Sequence, residues 1–153
     1  MIGCLYLGTQ RSVQPYVDAF LSGLASHGYT EGKNIRVLFR FADGHTDRLS
    51  TLTTELVSLG ARVIVTAGSA SIEAAHKATP NVPIVSLIGP NPVDMRWVKN
   101  LAKPGGMITG VFFKTQAPKK VELLKELRPQ ATRFGVLMDS NTHAHSIPEE
   151  ECS

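Results

Sequence analysis

Two short apolar runs set the architecture of this chain. Val63–Thr66 and Ile84–Leu87 each empty into a polar loop that carries glycine, and each loop opens a predicted helix. Runs of this length, bounded by turn residues, read as buried strands. In an open α/β sheet, loops of this kind gather at the carboxyl ends of the strands, which is the edge where small ligands bind. The pattern predicts a ligand cradle and offers little catalytic machinery.

The same alternation runs along the rest of the chain. Ile2–Leu7 reads as a buried strand ending at Gly8-Thr9-Gln10. Val17, Phe20, Leu21 and Leu24 recur at helical spacing, and Gly28 suits the C-terminus of that helix. Asn34–Phe41 sets Ile35, Val37, Phe39 and Phe41 against Arg36 and Arg40, which predicts a strand near the sheet edge. Thr46 is positioned to cap a helix carrying Leu49, Leu52, Leu56 and Leu59 and closed by Gly60. Strand Arg62–Thr66, helix Ser69–Lys77, strand Pro83–Leu87 and helix Val93–Leu101 follow, and Lys103-Pro104-Gly105-Gly106 makes a hard turn. Strand Ile108–Phe113 is interrupted by Gly110. Helix Pro118–Arg128 is expected to turn Val121, Leu124 and Leu127 inward. Arg133–Met138 is a sixth strand, and Asp139–Ser153 has no periodicity. Strands and helices alternating across short loops predict an α/β fold with an open, mostly parallel sheet and helices on both faces.

Composition narrows the function. The 153 residues suffice for one domain with a real core, and 42% apolar with 19% charged residues is ordinary for a soluble globular protein. The net charge of +3 is not gathered into a basic block, so a nucleic-acid partner is not expected. The 2 cysteines are too few for a disulfide framework: Cys4 lies in the first strand as a small apolar residue, and Cys152 lies in the tail. No stretch is apolar enough to span a membrane, and no signal peptide is visible, as is also true of a mature secreted chain.

Three loops are candidate ligand contacts. In Gly8-Thr9-Gln10-Arg11-Ser12, Gly8 permits a tight exit from the strand, while Thr9, Gln10 and Ser12 offer hydrogen bonds beside the next helix. A plain capped connection explains the same residues. In Gly68-Ser69-Ala70-Ser71, Ser69 is expected to cap the helix, and the first-turn N–H groups then face an incoming carboxylate. Glu73 is expected in the same first turn, where it also profits from that field and weakens the case for a highly charged phosphate ligand. In Gly89-Pro90-Asn91-Pro92, Asn91 either caps a helix that starts at Pro92 or bonds a ligand through its amide. Phe41 or His45 could flank an apolar ligand, although ordinary loop packing accounts for both.

Catalytic signatures are missing. There is no GxGxxG, P-loop, HExxH or GxSxG. Cys4 has no neighbouring base, and the first strand ends in Gly8 and Thr9 where a phospho-receiver would need acidic residues. His76, His143 and His145 do not form a metal set, and no cofactor is implied.

A family resemblance rests on an ordered series of segments. Phe20-Leu21-Ser22-Gly23-Leu24 with Gly28-Tyr29-Thr30-Glu31-Gly32-Lys33-Asn34-Ile35 resembles the opening of a bacterial substrate-binding protein family that serves ABC importers, often labelled tryptophan/tyrosine-type. Ala42-Asp43-Gly44 with Asp47-Arg48-Leu49, Glu55-Leu56-Val57, Val63–Gly68 and Ala78–Val85 continue it. Leu101-Ala102-Lys103-Pro104-Gly105-Gly106 with Thr109-Gly110, the most distinctive piece, and Lys120–Leu127 complete it over residues 2–138.

The resemblance implies a type I periplasmic binding protein, in which two Rossmann-like lobes clamp a small molecule. Family proteins are about twice this length. Residues 1–116 then correspond to the N-terminal lobe, 117–138 to the crossing and first elements of a shortened second lobe, and 139–153 to a tail. The loops at Gly8–Ser12, Gly68–Ser71 and Gly89–Asn91 line the cleft, with a small aromatic or amino-acid-like ligand. Where the family often carries Gly-Asp-Pro, this chain has Pro90-Asn91-Pro92, so a carboxylate that could pair with a ligand ammonium is a neutral amide. The implied partners are an ABC permease and, through apolar surface left uncovered, a second copy. The implied location is periplasmic or otherwise extracytoplasmic. An effector-sensing domain of a regulator and a small α/β enzyme are the alternatives.

Overall fold

The computed structural model describes residues 1–87, 97–98, 100, 105–111 and 117–133. The chain divides into two compact units, Met1–Phe113 and Lys114–Ser153.

The first unit is built on β1 (Ile2–Tyr6), α1 (Gln10–Ser26), β2 (Val37–Phe41), a short 3-10 turn (Thr46–Arg48), α2 (Leu49–Ser58), β3 (Val63–Thr66), α3 (Ser69–Ala78), β4 (Ile84–Ser86) and β5 (Ile108–Gly110). All strand pairs are parallel, in the order β2-β1-β3-β4-β5. Alternate residues of each strand feed opposite faces. Leu5, Ile64, Ile84 and Ile108 join Leu49, Leu56, Ile72 and Ala75 in the core under α2 and α3. Cys4, Tyr6, Val37 and Val65 pack with Val17, Phe20, Leu21 and Leu24 of α1. The sheet is therefore covered on both faces, as expected, and β2 is an edge strand.

Local chemistry explains the element ends. Gly28 has a φ of 83° just past α1 and donates its N–H to Ala25 O at 3.0 Å, while Tyr29 N–H reaches Leu24 O at 2.9 Å. This pair of bonds closes the helix, and the positive φ is cheap only for glycine. Gly60 closes α2 in the same way, through Val57 O and Leu56 O. Thr46, by contrast, is not a cap. It begins the 3-10 turn after His45, and neither that turn nor α2 has a side-chain cap. Asn34 and Ile35 are not in the strand either. Asn34 Oδ1 accepts from Thr30 N–H at 2.8 Å and its Nδ2 donates to Gly28 O at 2.7 Å, which folds the segment into a turn before β2.

The fourth and fifth strands are shorter than expected. The predicted helix Val93–Leu101 lies mostly outside the described residues, and Trp97, Val98 and Asn100 are not helical. Of the predicted strand Arg133–Met138, only Arg133 is described, in irregular structure. In the second unit, α4 (Ala117–Leu127) leaves Leu124 44% and Leu127 76% exposed, against the inward placement expected. The described part of that unit is one helix and the turn after it, which supply no second layer to bury them.

Cys4 is fully buried, and burial pushes its thiol up to about 12, with the Glu31 carboxylate acting in the same direction. A protonated, enclosed thiol is inert. In a Cys152→Ser background at pH 8, a thiol reagent is expected to modify Cys4 only as fast as the chain opens; immediate stoichiometric labelling would contradict this burial. The native pKa stands above the ordinary 9.0, so the unfolded chain loses its proton first, and this group's stabilising contribution falls as pH rises from about 9 to about 12.

Candidate functional site

The strand order puts β1 and β3 side by side, and their following helices leave to opposite faces, α1 to one and α3 to the other. This is the topological switch point of a 2-1-3-4-5 sheet, where the diverging loops leave a crevice. The loops after β1 and β3 are Gly8–Ser12 and Gly68–Ser71. Thr66 Oγ1 donates to Leu5 O at 2.8 Å and ties the two strand ends together just beneath them.

The two loops differ in how much of their polar capacity is already used. Thr9 is the N-cap of α1: its Oγ1 accepts from Ser12 N–H at 3.2 Å. Thr9 Oγ1 also donates to Ser12 Oγ at 3.2 Å, and Ser12 Oγ donates to Thr9 O at 2.9 Å. Gly8 sits tight against this turn, since a Cβ there would lie 2.7 Å from Ser12 Oγ and 3.1 Å from Val13 Cγ1. Gln10 is exposed at the first helical position.

α3 starts differently. Its N-cap is Gly68, at a φ of 83°, and no side chain caps the helix. Ser69, expected to cap, is instead the first helical residue. The first helical bond returns from Ile72 N–H to Gly68 O at 3.1 Å, so the N–H groups of Ser69, Ala70 and Ser71 have no acceptor among the described residues. Ser69 and Ala70 are half-buried. Ser71 is 1% exposed, and its hydroxyl has no partner among the described residues. Glu73 lies beyond the first turn and pairs with Lys77 at 2.8 Å, so the first turn holds no acidic residue, and the competition expected from Glu73 does not arise.

Ser86, which sequence reasoning passed over, belongs with this group. It ends β4 in register with Thr66, is 1% exposed, and its hydroxyl also has no partner among the described residues. A serine inside the apolar run Pro83–Leu87 was the available signal. Tyr6 at the end of β1 carries a third buried hydroxyl without a partner among the described residues. Gly89 and Asn91 lie outside the described residues.

The loop after β2 is committed to packing. Phe41 stacks on Tyr6, with ring centroids 6.1 Å apart, and on Phe39 at 6.4 Å. Gly44 N–H donates to Leu7 O at 2.6 Å, and Asp43 pairs with Arg48 at 2.9 Å. His45 is exposed. His143 and His145 lie outside the described residues; among those described, the buried His76 Nδ1 has no partner and no three ligating side chains cluster.

Capping chemistry separates the two loops experimentally. Thr9→Ala is expected to cost about 0.5–2 kcal/mol, the usual loss for an N-cap. Ser69→Ala removes no cap bond and should stay within about 0.5 kcal/mol of wild type. Urea denaturation of both variants checks the contrast, and equal losses would mean that Ser69 does cap α3.

The doubly covered parallel sheet and its switch point are those of one lobe of a type I periplasmic binding protein. Among solved structures, the chain is similar to an L-Trp complex of an ABC domain from Streptococcus pneumonia, with a TM-score of 0.71 and 29% identity over 84% of this chain and 43% of that one. It is also similar to a ligand-free, open substrate binding protein with adhesive properties from Clostridium difficile, with a TM-score of 0.69 and 27% identity over 84% of this chain and 44% of that one. A curated relative, the Tyrosine-binding protein of Clostridioides difficile (strain R20291), is 30% identical over 140 residues, which is 92% of this chain and 41% of the relative. The chain thus spans about two fifths of that relative's length. The family model described as ABC transporter substrate binding protein matches residues 9–152, and the chain belongs to that family.

Proposed function

We propose that this chain is the N-terminal lobe of a solute-capture protein for an ABC importer, and that it binds rather than transforms its ligand. One observation carries the reading. The first turn of α3 lies at the switch point without a side-chain cap, and among the described residues three of its N–H groups and the buried Ser71 hydroxyl have no partner. A helix start of this kind favours an anion, and a ligand carboxylate supplies one. The names of two relatives, a tyrosine-binding protein and a tryptophan complex, support an aromatic amino-acid-like ligand.

In this reading Gly68, Ser69, Ala70 and Ser71 hold the carboxylate. Gly8, Thr9, Gln10 and Ser12 border the crevice from the β1 side, and Gly89 and Asn91, which lie outside the described residues, are further candidate contacts. Residues 1–116 form the lobe, 117–138 the crossing and first elements of a second lobe, and 139–153 a tail. The partners are a permease, at an extracytoplasmic membrane face, and a second copy through the exposed leucines of α4. Family membership supports the first of these, and the exposure of Leu123, Leu124 and Leu127 supports the second. No described helix is long and apolar enough to cross a membrane.

Amide NMR tests the site. Titration with L-tryptophan or L-tyrosine is expected to shift Ser69, Ala70 and Ser71, whereas tryptamine, which lacks the carboxylate, should not shift them. Ser71→Ala should weaken binding by about 0.5–1.5 kcal/mol, up to roughly tenfold in Kd, without unfolding the lobe. Equal shifts with tryptamine would refute the carboxylate assignment.

A further inference from the structure

The segment Tyr29-Thr30-Glu31-Gly32-Lys33-Asn34-Ile35 lies away from the ligand edge, between α1 and the edge strand β2. It is tightly knit. Gly32 N–H donates to Ile35 O at 3.0 Å, Asn34 N–H to Thr30 O at 3.2 Å, and Glu31 forms an isolated parallel bridge with Ile35. The Asn34 amide bonds described above lock the turn from inside. All this order holds one side chain in place: Glu31 Oε2 accepts from Val37 N–H at 2.6 Å.

The ladder shows which way that N–H points. Ile2 N–H donates to Arg36 O at 2.9 Å, and Ala42 N–H donates to Tyr6 O at 2.8 Å. In a parallel pair this register turns the backbone groups of Arg36, Leu38, Arg40 and Ala42 toward β1, and those of Val37, Phe39 and Phe41 outward. Val37 N–H is thus an outer-edge donor, and Glu31 occupies it. Two residues on, the outward carbonyl of Phe39 accepts from Arg40 Nη1 at 2.9 Å. The other arm of that guanidinium binds Glu55 of α2 at 2.7 Å, which anchors it across the edge.

An unpaired edge is a template for another strand. An incoming antiparallel strand bonds both the N–H and the C=O of an outward residue. Val37 has given its one N–H to Glu31 and cannot make the full pair, and the Arg40 guanidinium already occupies the outward C=O of Phe39, where an incoming N–H would have to share it. The run Val37-Leu38-Phe39-Arg40-Phe41 is rich in strand-forming residues, and the strand best matched to it is the same run in another molecule. We propose that Glu31 and Arg40 close the outer edge of β2 against strand addition by a second copy of this chain.

Two measurements on the whole chain test this. In sedimentation velocity over a concentration series, Glu31→Ala/Arg40→Ala is expected to associate more strongly than wild type. Glu31→Gln, whose amide oxygen still accepts from Val37 N–H, should sediment as wild type. In wild-type hydrogen exchange, corrected for intrinsic rates, the Val37 amide should exchange roughly tenfold more slowly than the equally outward Phe39 amide, which has no acceptor among the described residues. A folded double variant that sediments as wild type overturns the proposal. If the double variant does not fold, the exchange measurement decides: a Val37 amide as fast as that of Phe39 overturns it.

Discussion

Gly110→Ala is expected to lower the melting temperature by on the order of 10 °C, as a loss of roughly 2–5 kcal/mol does in a chain of this size. Gly110 pairs with Ser86 across β4 and β5, at a φ of 142° that L side chains rarely adopt. A Cβ there would run into the carbonyl oxygen of Ser86 and lie 2.6 Å from its nitrogen and 2.8 Å from its carbonyl carbon. These are backbone atoms of a neighbouring strand, so no rotamer change relieves the contact. The strands must part, and with them the bond from Val111 N–H to Ser86 O at 2.8 Å. Thr109→Ala, at an exposed position of the same strand, is the control and should change stability by no more than about 0.5 kcal/mol. If both variants melt with wild type, β5 does not lie against β4 in this register.

Ile64→Ala is the second large effect, with an expected loss of about 2–5 kcal/mol in urea denaturation. Ile64 is fully buried in the core under α2 and α3. Its neighbour across β1 is Gly3, which has no side chain to collapse into the space left behind. That argues for the upper part of the range. The same contact predicts coupling. A Cβ on Gly3 would sit 3.1 Å from Ile64 Cδ1, 3.0 Å from Ala61 Cβ and 3.1 Å from Leu56 Cβ. Gly3→Ala should therefore be less damaging in the Ile64→Ala background than alone, by about 0.5 kcal/mol or more. Strict additivity would place the two residues out of contact.

The sheet is readable because parallel strands buried on both faces leave near-continuous apolar runs, as in β1, β3 and β4, with Thr66 and Ser86 the polar ends of the last two. Alternation at Ile35, Val37, Phe39 and Phe41 marked β2 as different, and it is the edge strand. The same alternation misled at Asn34 and Ile35, because amide bonds to Gly28 and Thr30 outweigh pattern there. At the candidate site, the position of the loops followed from strand order, but their chemistry did not. Gly68-Ser69 allows either residue to cap, and only the backbone angle decides. The buried hydroxyls of Ser71 and Ser86, unpartnered among the described residues, depend on burial by distant segments, which local sequence does not encode. The leucines of α4 have helical spacing whether or not anything covers them.

The strand order has a kinetic side. β1 pairs with β2 and also with β3, so its two flanks are filled by segments that leave the ribosome later than it does. Until Val63–Thr66 has emerged, Cys4, Leu5 and Tyr6 have no complete layer to enter. Such non-local pairing raises contact order and slows folding. In a ladder of nascent chains of increasing length, protease resistance of β1 should therefore appear in one late step, after β3 is free to dock, rather than grow strand by strand.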